Sequence, residues 1–325
     1  MTGNNAILVT GATGFVGTAL CAALEAGGRR PRRAVRAAGP ANAVVVGDIG
    51  PETEWRAALE GVRCVVHLAA RAHVMSESAA DPLAEYRRAN VEATLRLARQ
   101  AAAAGVRRLV FMSSIKVNGE ATLRPYTESD PPRPEDAYGI SKWETEQALA
   151  ALAAATGLEV VVLRPPLVYG PGVKGNFVRL MRLVARGTPL PLASIANRRS
   201  LVYVGNLADA VIAAIDAPAA AGRTYLAADG EDVSTPGLIR AIADALGTRA
   251  RLLPCPAALL SLGAALAGRR AEAGRLTGSL QVDATRLERE LGWRPRKTLA
   301  QGLAETAVWY RGLESQVSRL KSQDL

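Results

Sequence analysis

Tyr138 and Lys142 stand four residues apart in Tyr138-Gly139-Ile140-Ser141-Lys142, inside an apolar pattern that predicts a helix from Tyr138 to Ala155. Side chains at i and i+4 share one helix face. A phenol with a reference pKa near ~10 is a poor acid or base at neutral pH, and an adjacent ammonium favours phenolate. Such a pair can move a proton to or from a carbinol oxygen while hydride moves on the carbon. The spacing alone is common on amphipathic helices, where it serves packing and solvation. A third residue changes its meaning. The run Arg108–Ser113 reads as a buried strand, and Ser113-Ser114 stand at its C-terminal end. Serine at that edge of a parallel strand faces a ligand crevice. Ser114 can hold the substrate oxygen beside Tyr138, with Ser113 as the alternative if the register differs by one. Lys116 and Asn118 follow directly and are candidates to line the same crevice.

A second constellation opens the chain. Gly11, Gly14 and Gly17 in Gly11-Ala12-Thr13-Gly14-Phe15-Val16-Gly17 follow an apolar strand, Ala6–Thr10, and lead into a helix, Phe15–Ala26. Glycine allows the tight turn, the close approach of a pyrophosphate to the backbone, and close packing of helix on strand. The turn therefore predicts a dinucleotide. An acidic residue at the end of the second strand would bond a ribose 2′-hydroxyl, but Arg36 stands there. Arginine favours a 2′-phosphate, so NADP is preferred over NAD, with a solvated arginine cluster as the competing explanation. Asp48 and Ile49 are expected beside the adenine.

These sites need a frame, and the pattern supplies one. Strands are predicted at Arg33–Arg36, Ala43–Gly47, Cys64–Ala69, Arg108–Ser113 and Glu159–Leu163. Helices are predicted at Glu52–Glu60, Asp81 to Ala104 and Tyr138 to Ala155. Continuous apolar strands alternating with helices predict an α/β fold, a Rossmann-type doubly wound parallel sheet covered on both faces. Residues 1–170 are expected to form the dinucleotide domain, with Leu201–Val204 and Thr224–Ala227 returning to its sheet. After Pro165-Pro166 the rhythm loosens. Residues 171–199 and 231–312 are expected to form a smaller, mostly helical substrate lobe, with helices near Pro236–Leu246, Ala284–Leu291 and Leu299–Arg311, and 313–325 a frayed tail.

Bulk properties narrow the function classes. The chain has 325 residues, a net charge of +10 and 49% hydrophobic residues, enough for a large core. Apart from Arg29, Arg30, Arg32, Arg33 and Arg36, the arginines are scattered, and no helix concentrates arginine with aromatics as a nucleic-acid or membrane surface requires. Cys21, Cys64 and Cys255 suggest no disulfide framework. With His67 and His73 they offer no metal-ligand spacing. Cys21 and Cys64 read as packing residues. The apolar run Ala257 to Ala267 is about half the ~20 residues of a spanning helix and reads as a helix of the substrate lobe. The N-terminus lacks the pattern of a signal peptide. A soluble, cytoplasmic protein is expected.

Taken in order, Thr10–Gly17, His67-Leu68-Ala69-Ala70, Asn90-Val91, Ser113-Ser114, Tyr138–Lys142, Arg164-Pro165 through Tyr169-Gly170-Pro171-Gly172, and Leu291-Gly292-Trp293-Arg294-Pro295 resemble the extended short-chain dehydrogenase/reductases. These are the nucleotide-sugar epimerases, dehydratases and reductases. The resemblance spans about Ala6 to Arg311. It implies Tyr138 as acid/base, Lys142 as the group that lowers its pKa and holds the nicotinamide ribose, and Ser114 as the hydroxyl partner. It also implies dinucleotide contacts from Gly11, Thr13, Gly14, Phe15, Val16, Gly17, Leu68, Ala69, Ala70, Asn90, Pro165 and Val168. On the substrate side it implies Asn176, Leu192 within Leu190-Pro191-Leu192, and Arg199 on a diphosphate, with Lys174 and Arg275 assisting. A homodimer with a UDP-linked substrate is the family expectation.

Dehydratases of this family carry Asp-Glu directly after the catalytic Ser/Thr; here Ile115-Lys116 stands instead, which disfavours dehydration. Ser113 through Glu120 with Asn197 through Leu201 resemble most the bacterial UDP-4-keto-6-deoxy-N-acetylhexosamine 4-reductases of surface-polysaccharide synthesis. The reading is therefore C4-ketone reduction. A UDP-hexose 4-epimerase with tightly bound NAD is the alternative in the same chemical class, and a catalytically silent dinucleotide sensor the alternative in another.

Overall fold

The structure is a computed structural model that describes residues 6–39, 42–72, 81–256, 258–260, 274 and 276–323, the last eight as backbone only. Short apolar runs and longer amphipathic ones alternate as β1 (Ala6–Thr10), α1 (Phe15–Ala26), β2 (Arg32–Val35), β3 (Ala43–Val45), α2 (Arg56–Leu59), β4 (Val62–His67), α3 (Pro82–Tyr86), α4 (Ala93–Ala103), β5 (Arg108–Met112), α5 (Ala137–Thr156) and β6 (Glu159–Arg164). The remainder forms β7 (Leu167–Tyr169), α6 (Asn176–Ala185), β8 (Leu201–Tyr203), α7 (Val204–Asp216), β9 (Thr224–Leu226), α8 (Thr235–Leu246), α9 (Thr285–Leu291) and α10 (Leu299–Gln323).

The main sheet has seven strands in the order β3-β2-β1-β4-β5-β6-β9, all parallel. Side chains alternate between its faces. Ile7, Val9, Val110 and Leu163 pack on the α1/α7 side, while Leu8, Leu109, Phe111 and Val160 pack among Leu59, Leu97 and Leu149 on the other. Both faces are buried under apolar side chains, which explains why the strands read as unbroken apolar runs. Strand order reverses between β1 and β4. The register pairs Thr10 with His67, His67 with Phe111, and Met112 with Leu163. The turns after β1, β4 and β5 therefore open on one edge, where a doubly wound sheet has its crevice.

Several expectations shift. Thr224–Leu226 joins the sheet beside β6, but Leu201–Tyr203 does not; it pairs with β7 in a separate two-stranded sheet. Pro165 and Pro166 end β6 and turn the chain away, so β7 and β8 meet over the smaller lobe. Helix α2 is shorter than predicted because Thr53 organises the preceding loop, its Oγ1 accepting from Gly50 N at 2.8 Å and donating to Asp48 O at 3.1 Å. The helix expected over 81–104 is three pieces, with a π-helical turn at Arg87–Glu92 between α3 and α4. The segment expected to fray continues as α10 to Gln323.

The smaller lobe packs α6, α8 and α10 around Tyr169, Phe177, Met181, Ile239 and Leu303, and Phe15, Val16 and Ala19 of α1 pack against the same cluster. The first helix of the dinucleotide fold is thus also the floor of the second lobe. Among the described residues, no helix is long and apolar enough to cross a membrane. Most of the run 257–267 lies outside them.

Candidate active site

The glycine turn is built by steric exclusion. Gly11 has φ +64°, and a Cβ there would lie 2.8 Å from Ala69 N; a Cβ on Gly17 would lie 2.1 Å from Gly11 O. Gly14 donates to Gly11 O at 2.9 Å and precedes α1 with no side chain capping the helix. Thr13 and Gly14 are exposed at this end. Uncapped N–H groups at a helix start, with no Cβ in front of them, fit a pyrophosphate.

The acid missing from the end of β2 arrives from elsewhere in the chain. Arg36 Nε pairs with Asp48 Oδ1 at 2.6 Å, both side chains 83% exposed. An exposed pair of this kind contributes only ~0–1 kcal/mol, so either partner is available to a ligand. Ile49 packs against the core behind them.

The third side of the crevice is the segment after β4. Ala69 N donates to Thr10 Oγ1 at 3.2 Å. Asn90, in the π-helical turn, accepts from Arg71 N at 2.8 Å and donates to Arg71 O at 3.2 Å and Ser141 Oγ at 2.9 Å. It fastens the 68–71 segment to the helix that carries Tyr138 and Lys142. The π turn sets this aim, as such turns often do at functional sites. Leu68 and Ala69 form the wall against Gly11, and Ala70 is exposed beyond them. His67 is buried, its ring nitrogens 2.7 Å from Thr10 Oγ1 and 2.8 Å from Thr94 Oγ1. Burial and the nearby Lys142 push its pKa down to about 3, so it is a neutral bridging group within the core.

Ser114, Tyr138 and Lys142 lie on the same edge. Asp136 caps α5, accepting from Gly139 N at 2.7 Å, which places Tyr138 in the first turn. Ser114 starts the short 3-10 turn Ile115–Val117 and accepts from Lys116 N at 3.3 Å. Its hydroxyl hydrogen-bonds the Tyr138 phenol and eases the phenol's ionisation, but burial, Asp136 and Tyr86 together hold the phenol above its ordinary value. Ser113, the register alternative, is buried and donates to Glu146 Oε1 at 2.5 Å. Lys142 is 3% exposed, and its Nζ donates to Met112 O at 2.8 Å, 4.5 Å above the Phe111 ring centroid and 5.8 Å from that of Tyr138.

Burial lowers the Lys142 pKa to about 7, with Glu146 opposing the shift. Its folded value therefore lies below the ordinary lysine value of 10.5. Between those pH values the unfolded chain holds a proton that the folded chain lacks, so this group makes stability rise with pH across that window. Below about pH 7 the fold carries the full cost of a buried ammonium. Lys142→Met is expected to stabilise the ligand-free protein at pH 6 by roughly 1–3 kcal/mol, after allowing for the lost bond to Met112 O. The gain should shrink toward pH 10. Chemical denaturation at the two pH values checks this, and equal stability of variant and parent at pH 6 would contradict the account.

The residues expected on the substrate side sit on several different elements. Lys116 Nζ is paired with Glu120 at 2.8 Å and with Asp136; its charge braces the start of α5. Asn118 is 1% exposed and accepts from Arg164 NH1 at 3.0 Å, behind the crevice wall rather than in it. Pro165 accepts from Ile115 N at 3.0 Å and so seats the 3-10 turn, while Val168 packs between the two lobes. Asn176 and Lys174 are exposed at the start of α6, and Leu192 is half-buried against the lobe core. Arg199 bridges Val233 through the backbone and donates from NH1 to Gly278 O at 3.1 Å. Arg275 and His73 lie outside the described residues. Cys21 and Cys64 are buried packing residues, 2% and 4% exposed. No group of metal-ligating side chains occurs among the described residues.

Two clusters escaped sequence reasoning. Glu146 and Arg164 form a buried ion pair at 2.5 Å beside Lys142; the signal was available, since Tyr138, Lys142 and Glu146 repeat every four residues. Asp229 accepts from Tyr203 N and Asn206 Nδ2, both at 2.8 Å, and burial raises its pKa to about 6. Asn206 in turn receives Arg296 N and Lys297 N, and its carbonyl receives Trp293 Nε1 at 3.2 Å. The Gly292-Trp293-Arg294-Pro295 motif thus fastens the C-terminal segment to the sheet edge, a role no local pattern reveals.

Comparison with known proteins agrees with this geometry. The family model of the NAD dependent epimerase/dehydratase family matches residues 7–228. The chain is 47% identical over 308 residues to a UDP-glucose 4-epimerase of Vibrio cholerae, covering 93% of this chain and 94% of that one. It is 30% identical over 324 residues to a dTDP-glucose 4,6-dehydratase of Streptomyces griseus, covering 94% and 93%. Among solved structures, MoeE5 in complex with UDP-glucose and NAD superposes with a TM-score of 0.78 at 28% identity, covering 95% of this chain and 99% of that one. A glycine turn facing an uncapped helix, a Ser-Tyr-Lys group on the same sheet edge, and a family match across both make the conclusion plain: the chain belongs to the NAD-dependent epimerase/dehydratase family.

Proposed function

We propose that this protein is a UDP-hexose 4-epimerase that works with a tightly held nicotinamide dinucleotide. The observation that carries the reading is the 47% identity along 93% of the chain to a UDP-glucose 4-epimerase. Ser114, Tyr138 and Lys142 supply the matching chemistry. Tyr138 takes the proton of the 4-hydroxyl and later returns one to O4; Ser114 holds that oxygen; Lys142 favours the phenolate. A nicotinamide held on the glycine turn would supply the hydride acceptor and donor for C4. Arg199 serves the diphosphate, and Asn176 and Leu192 contact the nucleotide-sugar. Ile115 and Lys116, where dehydratases carry a carboxyl pair, offer no carboxyl acid or base for removing water, which disfavours dehydration.

A second reading, reduction of the C4 ketone of a UDP-linked 6-deoxy-N-acetylhexosamine, is favoured by one feature. Arg36 stands at the end of β2 and can meet a 2′-phosphate, as a reductase drawing on NADPH would use it. Its partner Asp48 suits the 2′-hydroxyl of NAD equally well, which fits the epimerase.

The purified protein should release NAD when denatured. It should convert UDP-glucose or UDP-N-acetylglucosamine to the galacto epimer, seen by proton NMR, with no cofactor added. A protein without bound cofactor, oxidising NADPH stoichiometrically with UDP-4-keto-6-deoxy-N-acetylglucosamine, would overturn the epimerase in favour of the reductase. Cofactor binding with neither activity would leave only the dinucleotide sensor.

A further inference from the structure

Behind Lys142 lies a polar cluster that the proposed reaction does not use. Glu146 is one turn further along α5. Its Oε1 accepts from Ser113 Oγ at 2.5 Å and Arg164 Nε at 2.9 Å, and its Oε2 accepts from Arg164 NH2 at 2.5 Å. Arg164 NH1 continues to Asn118 Oδ1 at 3.0 Å, and its guanidinium lies 5.8 Å from the Trp143 ring. Ser113, Asn118, Glu146 and Arg164 are 3%, 1%, 6% and 4% exposed. Stability is a poor reason for such a cluster, because a buried ion pair seldom repays its desolvation against an apolar pair of similar volume. Asn118 Nδ2 is even left without a hydrogen-bond partner.

We propose that Glu146, clamped by Arg164, is a positioning residue that sets the charge of Lys142 and the aim of Ser114. The geometric arm runs through Ser113, the residue before Ser114. Glu146 holds its hydroxyl while Ser113 N donates to Leu163 O at 2.8 Å and Ile115 N to Pro165 O at 3.0 Å, so the peptide presenting Ser114 is fixed on both sides. The electrostatic arm is the carboxylate itself, one helical turn from the ammonium. It opposes the loss of the Lys142 proton that burial alone would cause.

The other titratable groups around the site do not replace it. His67, from β4, is neutral. Arg164, from β6, carries like charge and is engaged by Glu146. Asp136 and Tyr86 act on Tyr138, and Arg71 lies over the Tyr86 ring at 5.4 Å. Glu146 is thus the carboxylate that Lys142 feels most directly.

The inference rests on Lys142 serving Tyr138, but its test does not need turnover. The lysines of this chain are Lys116, Lys142, Lys174, Lys297 and Lys321, few enough to follow singly by NMR in protein labelled at the lysine ε-carbon, with Lys142→Met giving the assignment. In the ligand-free protein the Lys142 midpoint is expected to fall by about one pH unit or more in Glu146→Gln, and to return in Glu146→Asp. Should Glu146→Gln not fold, Glu146→Leu with Arg164→Met replaces the pair by apolar groups that the fold accepts. Its midpoint should also lie below that of the parent, since of the pair it is Glu146 that acts on Lys142. An unchanged midpoint in either variant overturns the proposal. In turnover, the alkaline limb of the pH profile should move with the midpoint, which a merely structural role would not cause. A shifted midpoint in a protein inactive on nucleotide-sugars would sink the functional reading and leave this one standing.

Discussion

Tyr138→Phe is expected to lower kcat by about 10³-fold, inside the ~10²–10⁴ range for losing one positioned acid/base, while cofactor affinity stays within about twofold. The substitution removes one atom and little else. The ring keeps its edge contact with Tyr86 at 6.1 Å and its place 5.8 Å from Lys142 Nζ. What is lost is the hydroxyl that Ser114 hydrogen-bonds. That hydroxyl is not poised as a base in the ligand-free protein. Burial, Asp136 and Tyr86 hold it protonated, and the Lys142 ammonium is engaged by Met112 O. On the proposed epimerase reading the phenolate is needed first and the phenol afterwards, so Lys142 would lend its charge to the phenol once substrate and cofactor are in place. Ser114→Ala is then milder than Tyr138→Phe, because it withdraws one hydrogen bond from a group that still titrates. Proton NMR of the sugar product measures turnover, and fluorescence titration measures the cofactor. Full turnover in Tyr138→Phe would remove Tyr138 from the chemistry.

What was legible in advance follows from where each signal resides. The main sheet was readable because parallel strands buried on both faces leave continuous apolar runs. The glycine turn and Tyr138/Lys142 were readable because each is a local spacing on one element. The failures are tertiary. Lys116 and Asn118 follow Ser114 in sequence, which suggested the crevice, but their partners Asp136 and Arg164 come from other elements and are announced by no local pattern. Arg36 suggested a free cation until the fold brought Asp48 to it from beyond β3. Leu201–Tyr203 is as apolar as a sheet strand, and periodicity cannot say which sheet an apolar run will join. Its partner was decided by Pro165 and Pro166 ending β6.

Gly17→Ala carries the other large effect, and it tests the turn rather than the chemistry. The added Cβ would stand 2.1 Å from Gly11 O, 2.8 Å from Ala12 Cα and 2.9 Å from Gly11 C. These are backbone atoms of the turn itself and cannot rotate aside, so α1 must lift from β1 or the turn must open. Either movement displaces the N–H groups that would face a pyrophosphate. The expected result is dinucleotide binding weakened by about 10²-fold, the ~3 kcal/mol of one or two lost hydrogen bonds to a charged group. A stability loss of roughly 3 kcal/mol, or about 5–10 °C in Tm, should accompany it. Gly14→Ala provides the contrast. Gly14 has φ −79° and ψ 176°, open to any residue, and its Cβ would lie 3.1 Å from Gly11 O, a contact relieved by a few tenths of an ångström. Its stability cost should be below about 1 kcal/mol, with the loss confined to the cofactor. Calorimetric melting and cofactor titration of the two variants separate these effects. Equal behaviour of Gly14→Ala and Gly17→Ala would mean that helix-on-strand contact is not what requires glycine at position 17.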